Sequence, residues 1–354
     1  NCGVGFAPAA PDRHDWLIEL MEGVEDIPGS AMTEGIDWQW ESFEEFLDAL
    51  DARTYAIDIG AQIAHGPVRG YVMGDRGAAN EPATPDDIAA MSDIVESALR
   101  AGALGFSTSR TPLHRSKSGE LVPGTTADAD ELLGLGDALA RVGHGVFQFA
   151  PEHADVPVGE WPWMRELARR TGRTVSVNLN QPDSAPDLWR DVLGLLDQAR
   201  ADGIPIVAQV AGRVVGLLMC LEGSFNPLDF HPAYAPLRDL PLAERVNALR
   251  SPELRSALRV EPDDGGLFRK VVLDKLDRWW AVADGDIDYD PTADASIAAQ
   301  ADRTGMPAID LVVDQLCAHD GNGMILTPFF NYAYGDLSFQ YEAHQHPSTR
   351  MGLA

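Results

Sequence analysis

The sequence predicts an α/β chain built on a parallel sheet and, among such arrangements, a (β/α)8 barrel of the TIM type truncated at both ends. Three observations predict it. Short apolar runs alternate with amphipathic helical stretches at the close intervals of βαβ units. Four of the helical stretches are closed by Gly102, Gly143, Gly172 and Gly203, each followed within a few residues by the next apolar run. The chain also opens on NCGVG and closes on STRMGLA, which look cut inside elements, whereas compact domains usually end in exposed polar segments. A doubly wound open sheet is the alternative.

After NCGVGFAP, residues 12–21 carry a helical pattern. An acidic, Trp-rich stretch then leads to a helix at 42–50, where Ser42 and Glu45 have capping-box spacing. Residues 54–65, TYAIDIGAQIAH, read as a strand ending at His65-Gly66-Pro67. Residues 84–101 read as a helix: Thr84 can cap it, Pro85 suits its first turn and Gly102 stops it. GFSTS at 105–109 is a short strand running into a polar loop with Arg110, His114 and Arg115. Helices at 128–142, 161–171 and 185–201 then alternate with strands at 145–150, 174–180 and 204–210. From about 215 to 290 the rhythm breaks into an irregular insertion, with a long loop at 226–241 and a helix at 242–258. A loop of this length in a tight α/β chain reads as an insertion or an active-site lid. Helix returns at 294–319, MILT at 324–327 is a strand, 336–343 a short helix, and 349–353 begins the next strand. With a stub at Asn1, strands near 57, 106, 147, 177 and 207 and the terminal stub make seven of the eight strands of a barrel.

Composition narrows the function. With 354 residues, 45% of them hydrophobic, the chain can bury a sizeable core. Its net charge of −28, from 55 acidic against 27 basic residues, excludes a phosphate-backbone binder, so no nucleic-acid partner is expected. The three cysteines, at 2, 220 and 317, are too few and scattered for a disulfide framework and point to a reducing cytoplasm. No apolar run reaches the roughly 18 residues of a membrane helix, so no membrane partner is expected.

In a barrel the working groups sit just past the C-terminal ends of the strands. That rule collects Cys2, His65, Ser107, Thr108, Arg110, Gln148, Glu152, His153, Asn178, Asn180, Gln209 and Arg213. Cys2 offers a thiolate to zinc, with Gly3 letting the backbone approach a ligand; the other reading is a buried, inert cysteine. His65 reads as a base or metal ligand, or equally as a histidine hydrogen-bonded in the core. Asn178 and Asn180 share one face of their strand, and their amides would orient a substrate or water rather than move protons. Arg110 or Arg213 can grip a carboxylate with a two-pronged bond, or form a surface ion pair. His344 and His346 lie in a helix-to-strand connection at the opposite end of the strands, which speaks against metal binding there. No P-loop, GxGxxG, CxxC or GxSxG pattern is present.

Several segments resemble the N-acyl-D-amino-acid deacylases (D-aminoacylases) of the amidohydrolase superfamily. NCGVGFAP is similar to their metal-site cysteine segment, IAHGPVRGYVMG to a third-strand segment with H-G-x-x-R, and GALGFSTSRTPLH to a G-x-x-G-x-S-T segment. ADADEL, RVNALRSPELRSALR and the closing HPSTRMGLA carry it further. The resemblance implies an amidohydrolase-like barrel with a small β domain at the chain ends. It implies a metal-dependent hydrolase of a non-peptide C–N amide bond, with zinc-activated water cleaving an N-acyl-D-amino acid and an Asp on the last strand as acid–base. That Asp is expected just after Ala354 and the first-strand H-x-H before Asn1, so residues 1–354 are expected to form an incomplete, inactive barrel lacking the first strand and the β domain. Where the family has histidines on its fifth and sixth strands, this chain has Gln148 and Asn178 or Asn180, with His153 as a displaced ligand. One zinc ion is therefore expected, with Cys2, His65 and His153 as candidate ligands. Arg110, Gln148, Asn178, Asn180 and Arg213 are expected to contact a small-molecule N-acyl amino acid or related amide. The alternative is a catalytically degenerate amidohydrolase-fold protein that binds a small amide without hydrolysing it. Oligomeric state is not legible in the residues.

Overall fold

The structure is a computed structural model and describes residues 2–223, 225–262, 266–282 and 287–352. Its strands are β1 (Ile63–Ala64), β2 (Gly105–Ser109), β3 (Val146–Ala150), β4 (Val175–Asn178), β5 (Ile206–Ala211), β6 (Val215–Met219), β7 (Trp280–Val282), β8 (Met324–Phe330) and β9 (Thr349–Gly352). They form a six-stranded sheet in the order β1-β2-β3-β4-β5-β9 and a three-stranded sheet in the order β6-β8-β7. The chain divides into two compact units. The first takes in residues up to Asn180, Asp187–Val210, and Ala343 onward; the second is Gln181–Pro186 and Ala211–Glu342.

In the first unit β1 to β5 run parallel, as βαβ alternation requires. Phe106, Phe147, Val175 and Ile206 lie side by side across the ladder, and Ser107, Gln148, Ser176 and Val207 form the next row. Side chains alternate along a strand, so the two rows face opposite ways. The first row is apolar and carries the helices: the rings of Phe147 and Phe149 lie 5.8 and 4.8 Å from Trp163 of the helix Trp161–Thr171. The second row is polar but for Val207. Among the described residues the sheet is open, with β1 and β9 at its edges and no closure into a barrel.

The helix signals read from the sequence work as expected. Ser42 and Glu45 form a capping box at the start of Phe43–Asp51, and Thr84 and Asp87 form another before Pro85–Ala101. Asp128 caps Ala129–Val142 through the Glu131 amide, and Gly143 closes it with φ +85°. The expected strand at 54–65 shrinks to β1, because residues 51–60 are exposed and have no neighbouring strand among the described residues. Residues 2–10 form no strand; the stub expected at Asn1 and the end of 349–353 lie outside the described residues.

The second unit is more ordered than the insertion expected at about 215–290, and it extends to Glu342; residues 224, 263–265 and 283–286 lie outside the described residues. Its antiparallel sheet lies with a core that includes Tyr234, Leu249, Trp279, Val312 and Leu316. The helix expected at 242–258 is two, Leu242–Leu249 and Pro252–Leu258: Ser251 accepts from the Leu254 amide and Pro252 opens the second. The helix expected at 294–319 also breaks, into Ile297–Thr304 and Ala308–Leu316, at Gly305 with φ +70°. β8 runs past the expected 324–327 through Pro328, which lies opposite Gly216 where the register with β6 shifts; a strand tolerates a missing N–H at such a point. No helix among the described residues is long and apolar enough to cross a membrane.

Candidate functional site

His65 follows Ala64 directly, on the parity of Ile63, and therefore turns to the helix side of the sheet. Thr108, on the parity of Phe106, meets it there: His65 Nδ1 lies 2.8 Å from Thr108 Oγ1, and Nε2 lies 2.8 Å from Glu131 Oε1. Arg69 Nη1 donates to Glu131 Oε2 at 2.6 Å, and Nη2 donates to the Glu81 carbonyl. All three charged or titratable side chains are buried. Burial by itself would raise the Glu131 carboxyl, but the bonds from His65 and Arg69 outweigh it and hold the pKa at about 2. Burial pushes His65 down, so it is the neutral partner of an Arg69–Glu131 ion pair, with Nε2–H donating to Glu131 and Nδ1 accepting from Thr108. Both ring nitrogens are spent. Of the two sequence readings of His65, the geometry displays the core histidine, and His65 is no open metal ligand.

Arg110 points the same way. Its Nη1 donates to the carbonyls of Ala127 at 2.6 Å and Gly124 at 3.3 Å, and Nε donates to Glu160 Oε1 at 3.3 Å. Glu160 also accepts from Trp163 Nε1 at 2.6 Å; burial pushes its carboxyl up, and Arg110 pulls it back. The expected two-pronged carboxylate clamp is corrected here, because Arg110 is tied into the chain. Arg213 belongs to the second unit, where it is exposed, donates to the Val214 carbonyl at 2.9 Å and lies over the Tyr289 ring.

The polar face carries the remaining candidates. Gln148 Nε2 donates to Asn178 Oδ1 at 3.5 Å, and Gln209 Nε2 donates to Ser176 Oγ at 2.8 Å. Ser109, on the parity of Ser107, meets His114 Nδ1 at 2.9 Å, and Asn180 Nδ2 lies 3.4 Å from His153 Nε2. Burial holds both imidazoles at about 4, so both are neutral at pH 7. Gly3 donates its N–H to Ser107 Oγ at 3.4 Å and accepts from the Gly66 amide at 2.9 Å, which brings the Cys2 segment to this face. Gly3 has φ +81°, and a Cβ there would lie 2.5 Å from the Ser109 nitrogen, so only glycine lets the segment lie so close. Burial pushes the Cys2 thiol up.

The structure brings Gln148 to Asn178 and Asn180 to His153; sequence reasoning passed over Glu131 and Glu160 on the helix side and gave no role to Ser109 and His114 on the polar face. The parity of GFSTS, read from buried Phe106, is the signal that sorts Thr108 and Arg110 from Ser107 and Ser109. Among the described residues no three His, Cys, Asp or Glu side chains come together in a way that could hold a metal ion. Cys2, His65 and His153 therefore do not make a metal site by themselves.

No family model matches the chain. In fold it is an α/β chain with a mostly parallel sheet, similar to solved D-aminoacylases. It covers 99% of its length on a D-aminoacylase whose structure is described as defining a novel subset of amidohydrolases, at TM-score 0.50 and 17% identity. A D-aminoacylase variant in complex with copper chloride matches over 100% of this chain and 57% of that one, at TM-score 0.52 and 16% identity. In sequence the chain is 32% identical over 124 residues to the D-aminoacylase of Alcaligenes xylosoxydans xylosoxydans, which is 34% of this chain and 23% of that protein. An uncharacterized protein of Mycobacterium bovis is 24% identical over 261 residues, 70% of this chain and 39% of its own. The chain resembles the D-aminoacylases in both sequence and fold, and it spans less than two thirds of each of these relatives.

Proposed function

We propose that the protein is a metal-dependent amidohydrolase that cleaves linear, non-peptide C–N amide bonds, with N-acyl-D-amino acids as substrates. One observation carries the reading: the 124-residue match to a D-aminoacylase at 32% identity. The shared α/β fold with its mostly parallel sheet is in keeping with it. Zinc is the expected ion, with Cys2 as the first candidate ligand; since the described residues gather no third donor, no step is assigned to a metal here. What these residues can do is bind: Gln148, Asn178 and Asn180 offer neutral amide donors and acceptors suited to an amide ligand. Three free cysteines are in keeping with a reducing cytoplasm.

The test uses the intact protein. Release of free amine from N-acetyl-D- and N-acetyl-L-amino acids is measured before and after chelation, with zinc added back. D-selective, zinc-restored hydrolysis supports the reading. Equal indifference to chirality and to metal overturns it.

A further inference from the structure

The loop after β2, residues 111–127, is long for its position and is pinned from Lys117 to Ala127. Lys117 Nζ donates to Glu22 Oε1 at 2.8 Å, and Asn80 Nδ2 donates to the carbonyls of Leu121 and Val122 at 3.1 and 3.2 Å. Asn80 Oδ1 accepts from the Gly124 amide at 2.8 Å, and Arg110 holds the carbonyls of Gly124 and Ala127. Val122 is fully buried against Val4 and Leu20. Gly124, at φ +99°, lies so close to His65 that a Cβ would stand 2.4 Å from Nδ1. A surface connection needs none of this. The fastenings fix the backbone that follows His114, whose Nδ1 is bonded to Ser109 at the C-terminal end of β2 on the polar face.

His114 is half-buried, and its Nε2 has no hydrogen-bond partner among the described residues. Nearby, Gln148 is bonded to Asn178 and Gln209 to Ser176, while Arg110 is tied to the loop itself. A Ser109 hydroxyl that donates to Nδ1 places the ring proton on Nε2 and makes the open nitrogen a donor. We propose that His114, oriented by Ser109, is the donor that meets the carboxylate of the acylated amino acid, the role sequence reasoning gave to Arg110 or Arg213. This rests on the hydrolase reading and names the residue that recognises one end of its substrate. The imidazole acts through its tautomer rather than its charge, since burial keeps it neutral at pH 7.

The experiment compares two probes on the intact protein, N-acetyl-D-leucine and N-acetyl-D-leucinamide, which differ in the carboxylate alone. For His114→Ala we expect KM for the acid to rise about tenfold with kcat within about twofold, and both to hold for the amide. His114→Gln, which keeps an N–H at similar reach, should restore much of the loss. Arg110→Ala should lower thermal stability and leave the ratio of the two KM values unchanged. An equal effect of His114→Ala on both probes, or a selective loss for the acid in Arg110→Ala, overturns the proposal. If the wild type hydrolyses neither probe, the hydrolase reading fails, and calorimetric binding of N-acetyl-D-leucine to the same variants decides the rest. His114-dependent binding supports the carboxylate contact; His114-independent binding, or none, overturns it.

Discussion

The two faces of the six-stranded sheet use polar residues in opposite ways. On the helix side, formal charges are buried and answered: Arg69 and Glu131 pair beside neutral His65, and Arg110 pairs with Glu160 and two carbonyls. On the other face stand neutral groups, Ser107, Gln148, Ser176, Asn178 and Gln209, joined by single long or ordinary hydrogen bonds. A buried charge that loses its partner is severely penalised, so it is held for structure, whereas a neutral amide can exchange one partner for a ligand at little cost. The difference teaches that the most charged cluster in the unit is not its site.

The largest expected break of this comparison is Glu131→Ala. It leaves Arg69 buried without a counter-charge and should destabilise by about 3–5 kcal/mol in urea unfolding. A change no larger than that of Gln148→Ala would show the two faces to be alike. The pH dependence sharpens the same contrast. His114 and His153 fold neutral with pKa values of about 4, so their contribution is present above about 6.5 and lost as pH falls from there to about 4. Glu131 is depressed to about 2, so its contribution is present above 4.5 and lost as pH falls from 4.5 toward 2. Urea midpoints should therefore fall in two windows: Glu131→Gln should flatten the lower one and His114→Gln part of the upper one.

Arg110→Ala removes bonds to Ala127, Gly124 and Glu160 and should cost about 1–3 kcal/mol. Thr84→Ala, which strips a capping box remote from either face, should cost about 1 kcal/mol and leave ligand affinity untouched. Gln148→Ala should have the smallest effect on stability, below about 1 kcal/mol, while weakening the binding of N-acetyl-D-leucine, followed by calorimetry. A stability loss in Gln148→Ala matching that of Arg110→Ala would move Gln148 into the structural set.

Much of this was legible in the residues. The caps at Ser42, Thr84 and Asp128 and the stops at Gly102, Gly143 and Gly172 act through bonds between near neighbours, so local spacing reveals them. The parallel alternation was legible for the same reason, and the motifs around Cys2, His65 and Ser107 suggested the resemblance to the D-aminoacylases. The breaks at Ser251-Pro252 and Gly305 were also written locally, but the helical pattern on either side masked them.

What the sequence by itself determined, then, is the order of strands and helices, the groups at the strand ends and the family resembled. Only the tertiary structure decided which strand-end groups are free to act. His65 and Arg110 read as site residues because an imidazole and a guanidinium at a strand end are chemically apt. They are engaged because Glu131, 66 residues from His65, and Glu160, 50 residues from Arg110, reach them across helix–sheet contacts. His114, unremarkable in a polar loop, is bonded to Ser109, and the loop that carries it is held by Arg110 and by Asn80. Hydrogen-bond commitment is a property of long-range contact, and no local pattern of residue types records it.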